Sequence, residues 1–370
     1  MELARQNGTP GYPSAGAPRE VVLLFPGQGA QHGRMATGLY DHDPVFTAAV
    51  ETVFAALGSD GARLRADWLA GDTADPINEI TRSQPLLLAI GYGLGRMVMS
   101  WGVRPAALLG HSIGEVVAAT LADVFTVEGA ARLVWGRVNS LARAPRGGML
   151  AVAASEAELL PYLQGTGVAI GAVNAPGQTV ISGLEGELRA VLESLRQDGI
   201  RYRPVPSHTG LHSPALAPFA GVADQVFAGI STRPARLRVY SCYTSAPLTP
   251  QQATSAGFWV GQPLRTVRFW PALEALLRRG DFLIAEAGPG HVLTSFARRH
   301  PAVRSGRCAL APLLPARHEG AAADRQSASR IRGWLRSEGL RLADDAATRP
   351  APAQPSVPVQ VLARPAWQRA

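Results

Sequence analysis

Residues 110–114 read Gly-His-Ser-Ile-Gly, a pentapeptide that leaves the backbone around it little choice. Pro105–Leu109 ahead of it is a short apolar segment, and Glu115–Ala122 behind it has the composition of a helix. Strand, sharp turn and helix in that order are what a nucleophile elbow requires. The serine at its apex is strained and exposed, and its neighbours are glycines because a side chain would strike adjacent backbone. A helix starting at the serine aims its free N–H groups at the point where an oxyanion would develop. The competing reading is an ordinary structural turn. On the nucleophile reading Ser112 needs a base, because a serine hydroxyl is weak at neutral pH. The chain has 8 histidines from which to draw one. His111 is adjacent, but the elbow turns its side chain away from the serine's.

A second glycine-bearing turn lies upstream. Val21–Phe25 is a buried-strand pattern that runs into Pro26-Gly27-Gln28-Gly29-Ala30-Gln31. Glycines directly after an apolar strand allow close approach of backbone to a ligand. The segment lacks the third glycine of a dinucleotide fingerprint and the Gly-Lys-Ser/Thr of a phosphate loop. Alone it reads as a strand-ending turn. Together with the serine elbow it resembles the malonyl-CoA:acyl-carrier-protein transacylases and the acyltransferase domains of polyketide synthases. Those open with Phe-Pro-Gly-Gln-Gly-x-Gln and carry Gly-His-Ser-x-Gly-Glu. Further matches follow in order over roughly residues 20–313: Thr81 to Pro85, Arg137, Gly148–Val152, Val173 to Gly183, His212 to Pro218, Trp259 to Phe269, and Glu286 to Pro289.

The resemblance implies roles residue by residue. Ser112 is the nucleophile and His212 its base, with His208 in Pro206-Ser-His-Thr as the runner-up. The backbone N–H groups of Gln28 and Ile113 form the oxyanion hole. A backbone carbonyl near Gln262, rather than a carboxylate, orients the histidine. Arg137, 25 residues after the serine, binds a carboxylate on the acyl group. A planar guanidinium suits that task because it pairs with a carboxylate bidentately. The alternative for Arg137 is a solvated helix arginine like Arg132 and Arg143. Gln84 and His111 support the site, while Asn174 and Ser182 support the smaller lobe. Glu115 reads as a first-turn acid in a favourable helix dipole. Gly210 and Leu211, just before the base, are the specificity positions. Leu211 stands where malonyl enzymes resemble Phe and methylmalonyl enzymes resemble Ser, and Gly210 is expected to add room.

Composition narrows the alternatives. Lys+Arg number 36 against 28 Asp+Glu, and every one of the 36 is arginine, which excludes a lysine Schiff base and a phosphate-loop lysine. The net charge of +8 favours acidic partners by steering. No nucleic-acid motif accompanies it; an acidic acyl carrier protein and a coenzyme A thioester are the partners the resemblance implies, and charge alone points to Arg298 and Arg299 as a docking pair. Cys242 and Cys308 are too few for a disulfide framework or a zinc site, and the resemblance implies no metal and no resident cofactor. There is no signal peptide near Glu2, Arg5, Arg19 and Glu20. The apolar stretch Pro85–Val103 is interrupted by Arg96 and four glycines, too broken for a membrane span. A cytoplasmic protein is expected.

Residues 1–18 read as a flexible Gly/Pro/Ser leader. Residues 19–147 and 209–313 alternate apolar strands with helical patterns such as Val45–Leu57 and Glu128–Ala142, which predicts α/β with a mainly parallel sheet. Residues 148–208 carry short strands at Leu150–Ala153, Val168–Val173, Thr179–Ile181 and Tyr202–Val205 with helices at Glu156–Leu163 and Glu185–Asp198. The expectation is an α/β-hydrolase-like main domain with a nucleophile elbow and an inserted ferredoxin-like small subdomain. Residues 314–370 hold a helix at Asp324–Arg341 and then a Pro/Ala/Arg-rich tail whose end, Val361–Arg369, resembles the linker after acyltransferase domains.

The implied activity is transfer of a malonyl-type acyl group from coenzyme A to a carrier-protein phosphopantetheine thiol, by ping-pong through an acyl-serine, in polyketide or fatty acid biosynthesis. The chain starts with Met and shows no ketosynthase or carrier segment, which favours a freestanding, trans-acting enzyme. The rivals are an acyl hydrolase of this fold, a carrier-to-carrier acyltransferase of an unusual acyl group, and a non-catalytic scaffold.

Overall fold

A computed structural model of the chain describes residues 18–71 and 77–343. Most of the leader and the proline-rich tail beyond 343 lie outside these residues. Strand β1 (Glu20–Phe25) enters the core with five consecutive buried side chains. Helix α1 (Pro44–Ala56) starts where Asp43 accepts the N–H of Phe46 and proline fills its first position. Helices α2 (Gly58–Ala70) and α3 (Ile80–Ser100) follow, then β2 (Ala107–Gly110), α4 (Ile113–Leu121) and α5 (Val127–Leu141). Thr126 caps α5 by accepting the N–H of Gly129.

The glycines that break the Pro85–Val103 hydropathy run have a packing role in α3. A Cβ on Gly93 would meet Val50 and Phe46 of α1, and one on Gly95 would meet Leu121 of α4. Two helices approach α3 closely there, and its residues from Ser83 to Gly95 are all buried. No helix among the described residues is long and apolar enough to cross a membrane.

The chain then builds a second lobe. Strand β3 (Gly147–Val152) leads to α6 (Glu156–Leu163), β4 (Ala169–Ala175), β5 (Gln178–Leu184), α7 (Glu185–Gln197) and β6 (Tyr202–Pro204). A reciprocal capping box between Ser155 and Glu158 starts α6. These strands form an antiparallel sheet in the order β4-β5-β3-β6, the ferredoxin-like arrangement. The lobe has its own core, with Leu150, Val152, Leu159, Ile181, Val191 and Leu195 packed together.

Strands β7 (Val239–Ser241), β8 (Ala246–Pro247), β9 (Phe282–Glu286) and β10 (Ala309–Pro312) complete the main sheet. Its order is β10-β9-β1-β2-β7-β8, and all neighbours are parallel except the short edge strand β8. This is the α/β core expected from the alternation of strands and helices. The register sets Phe25 beside Gly110 and Leu109 beside Tyr240, so β1, β2 and β7 release their chains at the same edge. Ligands of parallel α/β sheets bind at that carboxyl edge. The C-terminal helix runs Ala321–Ser337, shifted toward the N-terminus from the expected Asp324–Arg341. The carboxylate of Asp324, 1% exposed, accepts the N–H of Gly38 and ties this helix to the loop after β1.

Candidate active site

Ser112 occupies the tight turn between β2 and α4 with φ 55° and ψ −118°, a conformation that costs a non-glycine residue energy. The turn closes only because its flanks lack side chains. A Cβ on Gly110 would collide with the backbone of Gly114 and Glu115, and one on Gly114 with the carbonyl of Phe25 in β1. Ile113 opens α4, so its N–H belongs to the first turn, where no intrahelical acceptor exists. Gln28, from the loop after β1, lines the same cavity as Ser112. Its side-chain oxygen accepts from Gln84 Nε2 at 3.3 Å.

His212 comes from the segment that re-enters the main domain after the small lobe. Its Nε2 lies 2.7 Å from Ser112 Oγ. On the other side of the ring, Nδ1–H donates to the backbone oxygens of Gln262 at 3.2 Å and Arg265 at 3.0 Å. Two carbonyl acceptors keep the proton on Nδ1 and leave Nε2 free to accept from the serine hydroxyl. The backbone of His212 is held at φ 64°, with its N–H donating to the oxygen of Pro263 at 2.6 Å. Burial lowers the imidazole pKa from 6.5 to about 4, and the neighbouring His111 and Arg137 push the same way. His208 points elsewhere: it pairs with Glu79 at 2.8 Å on the surface.

His111 also lines the cavity, but its Nε2 meets Asn174 Oδ1 of β4 at 2.9 Å rather than Ser112. Asn174 therefore links the small lobe to the elbow. Ser182 of β5 donates to the oxygen of Leu211 at 2.5 Å and so anchors the residue before the histidine. Leu211 is 1% exposed and lines the cavity beside Met149 and Val180. Gly210 does not add room there, contrary to expectation. The space a side chain would take is filled by Gly183, whose oxygen would lie 2.5 Å from a Cβ. The glycine lets this loop press onto β5.

Arg137 is 4% exposed in α5, while Arg132 and Arg143 on the same stretch are exposed, so it is not a solvated helix arginine. One Nη donates to the oxygen of Trp259 at 3.0 Å, and Nε is buried without a partner. Burial lowers its pKa to about 10, which keeps it cationic at neutral pH. Among the described residues no carboxylate pairs with it. Gln84 and Gln262 are buried as well, at 3% and 1% exposure, and each has a side-chain atom with no hydrogen-bond partner.

Glu115 corrects a sequence expectation. It is fully buried, and its Oε2 accepts the N–H of Cys242 at 2.8 Å. Burial raises its pKa to about 8 against the opposing pull of Ser241, the Cys242 N–H and Arg265. It ties α4 to the end of β7 as a mostly neutral acid, rather than acting as a charged partner of the helix dipole. Tyr243 lies outside the motifs of the sequence. Its position just beyond a short strand was the available signal, but only the pairing of β7 with β2 brings it beside Ser112. Both cysteines are free and buried.

The elbow, the Ser112–His212 contact and the two-lobed architecture converge with similarity to known proteins. The family profile described as the acyl transferase domain matches residues 22–331. The chain belongs to the acyl transferase domain family. It is 37% identical over 282 residues to a component of the phenolphthiocerol/phthiocerol polyketide synthase of Mycobacterium tuberculosis, a match covering 76% of this chain and 19% of that protein. It is 34% identical to the polyketide synthase GfsA of Streptomyces halstedii, over 77% of this chain and 4% of that one. The acyl transferase domain thus spans a fifth or less of either relative.

Among solved structures, it superposes on the acyltransferase domain from the second module of the salinomycin polyketide synthase. The TM-score is 0.78 at 32% identity, covering 88% of this chain and 75% of that one. The acyl transferase domain of SpnD gives 0.80 at 30% identity, covering 90% and 79%. The malonyl CoA-acyl carrier protein transacylase of Coxiella burnetii shares the fold, with a TM-score of 0.74 at 24% identity over 85% and 98%. The acyl transferase domain therefore has an α/β-hydrolase-like core with a ferredoxin-like subdomain.

Proposed function

We propose that this domain moves a malonyl-type acyl group from a coenzyme A thioester to the phosphopantetheine thiol of an acyl carrier protein. Ser112 attacks the thioester carbonyl as His212 Nε2 takes its proton, supported by their 2.7 Å contact. The N–H groups of Ile113 and Gln28 hold the developing oxyanion. The tetrahedral intermediate collapses, the coenzyme A thiolate leaves with the proton from His212, and an acyl-serine ester remains. The carrier thiol then attacks that ester in the reverse sense, with His212 taking the thiol proton and returning it to Ser112. The carbonyls of Gln262 and Arg265 hold the imidazole in the tautomer both halves need.

The observation that carries the acyl class is Arg137, a buried cation with no carboxylate partner among the described residues. A buried charge without a counter-ion is costly, and a carboxylate-bearing acyl group supplies one. The SpnD domain, solved in complex with 2-(pent-4-yn-1-yl)malonyl, is a relative that holds such a group. Arg201, Arg203 and Arg299 gather at a second hollow that shares Arg203 with the cavity of Ser112, and this basic rim suits an acidic carrier. An acyl hydrolase has no use for the Arg137 charge.

The test is intact-protein mass measurement after incubation with malonyl-, methylmalonyl- and acetyl-CoA, followed by addition of a carrier protein. Wild type gains a malonyl mass that the carrier removes, and Ser112→Ala gains none. Malonylation of the alanine variant, or loss of the acyl group to water as fast as to carrier, would defeat the proposal.

A further inference from the structure

Ser112 stands three residues past Leu109, and Tyr243 three past Tyr240, its neighbour in the β2–β7 ladder. The two leave the carboxyl edge of adjacent parallel strands side by side. The Tyr243 ring lies 6.3 Å from the His212 ring and packs edge-on against Phe258 at 6.3 Å. Phe258 in turn packs edge-on at 5.0 Å against Trp259, whose carbonyl holds Arg137. Tyr243 therefore joins the Ser112–His212 pair to Arg137.

Its ring is buried, yet its phenol oxygen has no hydrogen-bond partner, and neither has the Nε of Arg137. The Ser112 hydroxyl acts on the phenol as a hydrogen-bonding neighbour and the Arg137 guanidinium as a nearby charge, while the phenol oxygen meets full hydrogen-bond geometry with neither. Buried polar groups are seldom left unpaired, and one beside a nucleophile calls for a functional reason. A neutral filler would have done as well with phenylalanine. Two unpaired donors, a phenol near Ser112 and a guanidinium whose charge acts on that phenol, match the two oxygens of a carboxylate.

We infer that Tyr243 is a specificity-determining residue, whose phenol O–H donates a second hydrogen bond, beside Arg137, to the terminal carboxylate of the acyl group carried on Ser112. The inference rests on the malonyl-type reading given above. Burial, reinforced by Glu115, holds the phenol pKa well above its usual value, so the group stays a donor across the working range.

Tyr243→Phe in the full chain tests it, with acylation of Ser112 by malonyl-CoA and acetyl-CoA followed by intact mass. The variant loses about tenfold or more in malonyl kcat/KM, the effect of one hydrogen bond to a charged group. Acetyl loading is unchanged, and Tm is unchanged or raised because an unpaired hydroxyl has gone. An unchanged malonyl-to-acetyl ratio overturns the inference, and so does an equal loss on both donors, which would mean that the phenol acts on Ser112 itself. A wild type with no preference for malonyl defeats the malonyl reading and this inference together. A malonyl-selective wild type with an unchanged ratio in the variant defeats only the role of Tyr243.

Discussion

Ser112 and His212 lie 100 residues apart in the chain, both with backbones at positive φ, and meet with Oγ and Nε2 2.7 Å apart. Neither conformation is comfortable for a residue with a Cβ. The elbow strains the serine, and the bond from the His212 N–H to Pro263 holds the histidine. These two backbone constraints build the contact into the fold.

Replacing the base should separate the two candidate histidines. His212→Ala is expected to slow acylation by about 10²–10⁴, the usual contribution of a positioned base. His208→Ala removes only a surface pair with Glu79 and should leave the rate within about twofold. Burst-phase acyl-enzyme formation measures both, and an equal loss from His208→Ala would reverse the assignment.

The pH profile follows from the burial of His212. Its pKa falls from 6.5 to about 4, so the imidazole is neutral, and able to act as base, well below pH 6.5. The acid limb of kcat/KM should lie near pH 4–5. The same shift has a stability consequence. The unfolded chain protonates this histidine below about 6.5 while the folded one does not, so stability falls as pH drops from there toward 4. A limb near 6.5 with the fold intact would contradict the geometry.

Arg137→Ala should lower malonyl loading and raise the relative use of acetyl. The lost charge-assisted pair is worth about 1.5–3 kcal/mol, roughly 10- to 150-fold in rate. Competition between the two thioesters, read by mass on Ser112, measures it. Unchanged preference would leave Arg137 a structural residue.

Glu115→Gln should alter stability in a pH-dependent way. The folded carboxyl titrates near 8 and the unfolded one near 4.5. Folding therefore takes up a proton between these values, and stability falls as pH rises across that window. The amide keeps the acceptor for Cys242 without the titration, so the Tm difference should move toward the variant between pH 6 and 8. Glu286, raised to about 7 mainly by burial, is common to both proteins and cancels in the difference. A Tm difference independent of pH would show that Glu115 is ionised in the fold.

Leu211→Ser should widen the cavity and increase loading of methylmalonyl relative to malonyl, since a methylene-sized difference is worth about 1–3 kcal/mol. The variant should also lose stability, because Leu211 is buried. The ratio of the two acyl masses on folded enzyme is the readout, and a constant ratio would remove Leu211 from the specificity positions.

What the sequence determined by itself was local. The elbow at Ser112 is legible because strand, glycine and helix start lie within a dozen residues, and their steric demands are short-range. The β-α-β-β-α-β order of the small lobe shows in periodicity for the same reason. Tertiary structure alone decided what depends on distant chain meeting distant chain. Glu115 looks like a charged first-turn acid in a helix dipole until Cys242, 127 residues away, closes over it and burial raises its pKa. Gly210 looks like space in a pocket until the backbone of Gly183 fills that space. Tyr243 shows only a place just past a short strand until the parallel pairing of β7 with β2 sets it beside Ser112. Burial and strand register are properties of the whole packed chain, and no window of sequence contains them.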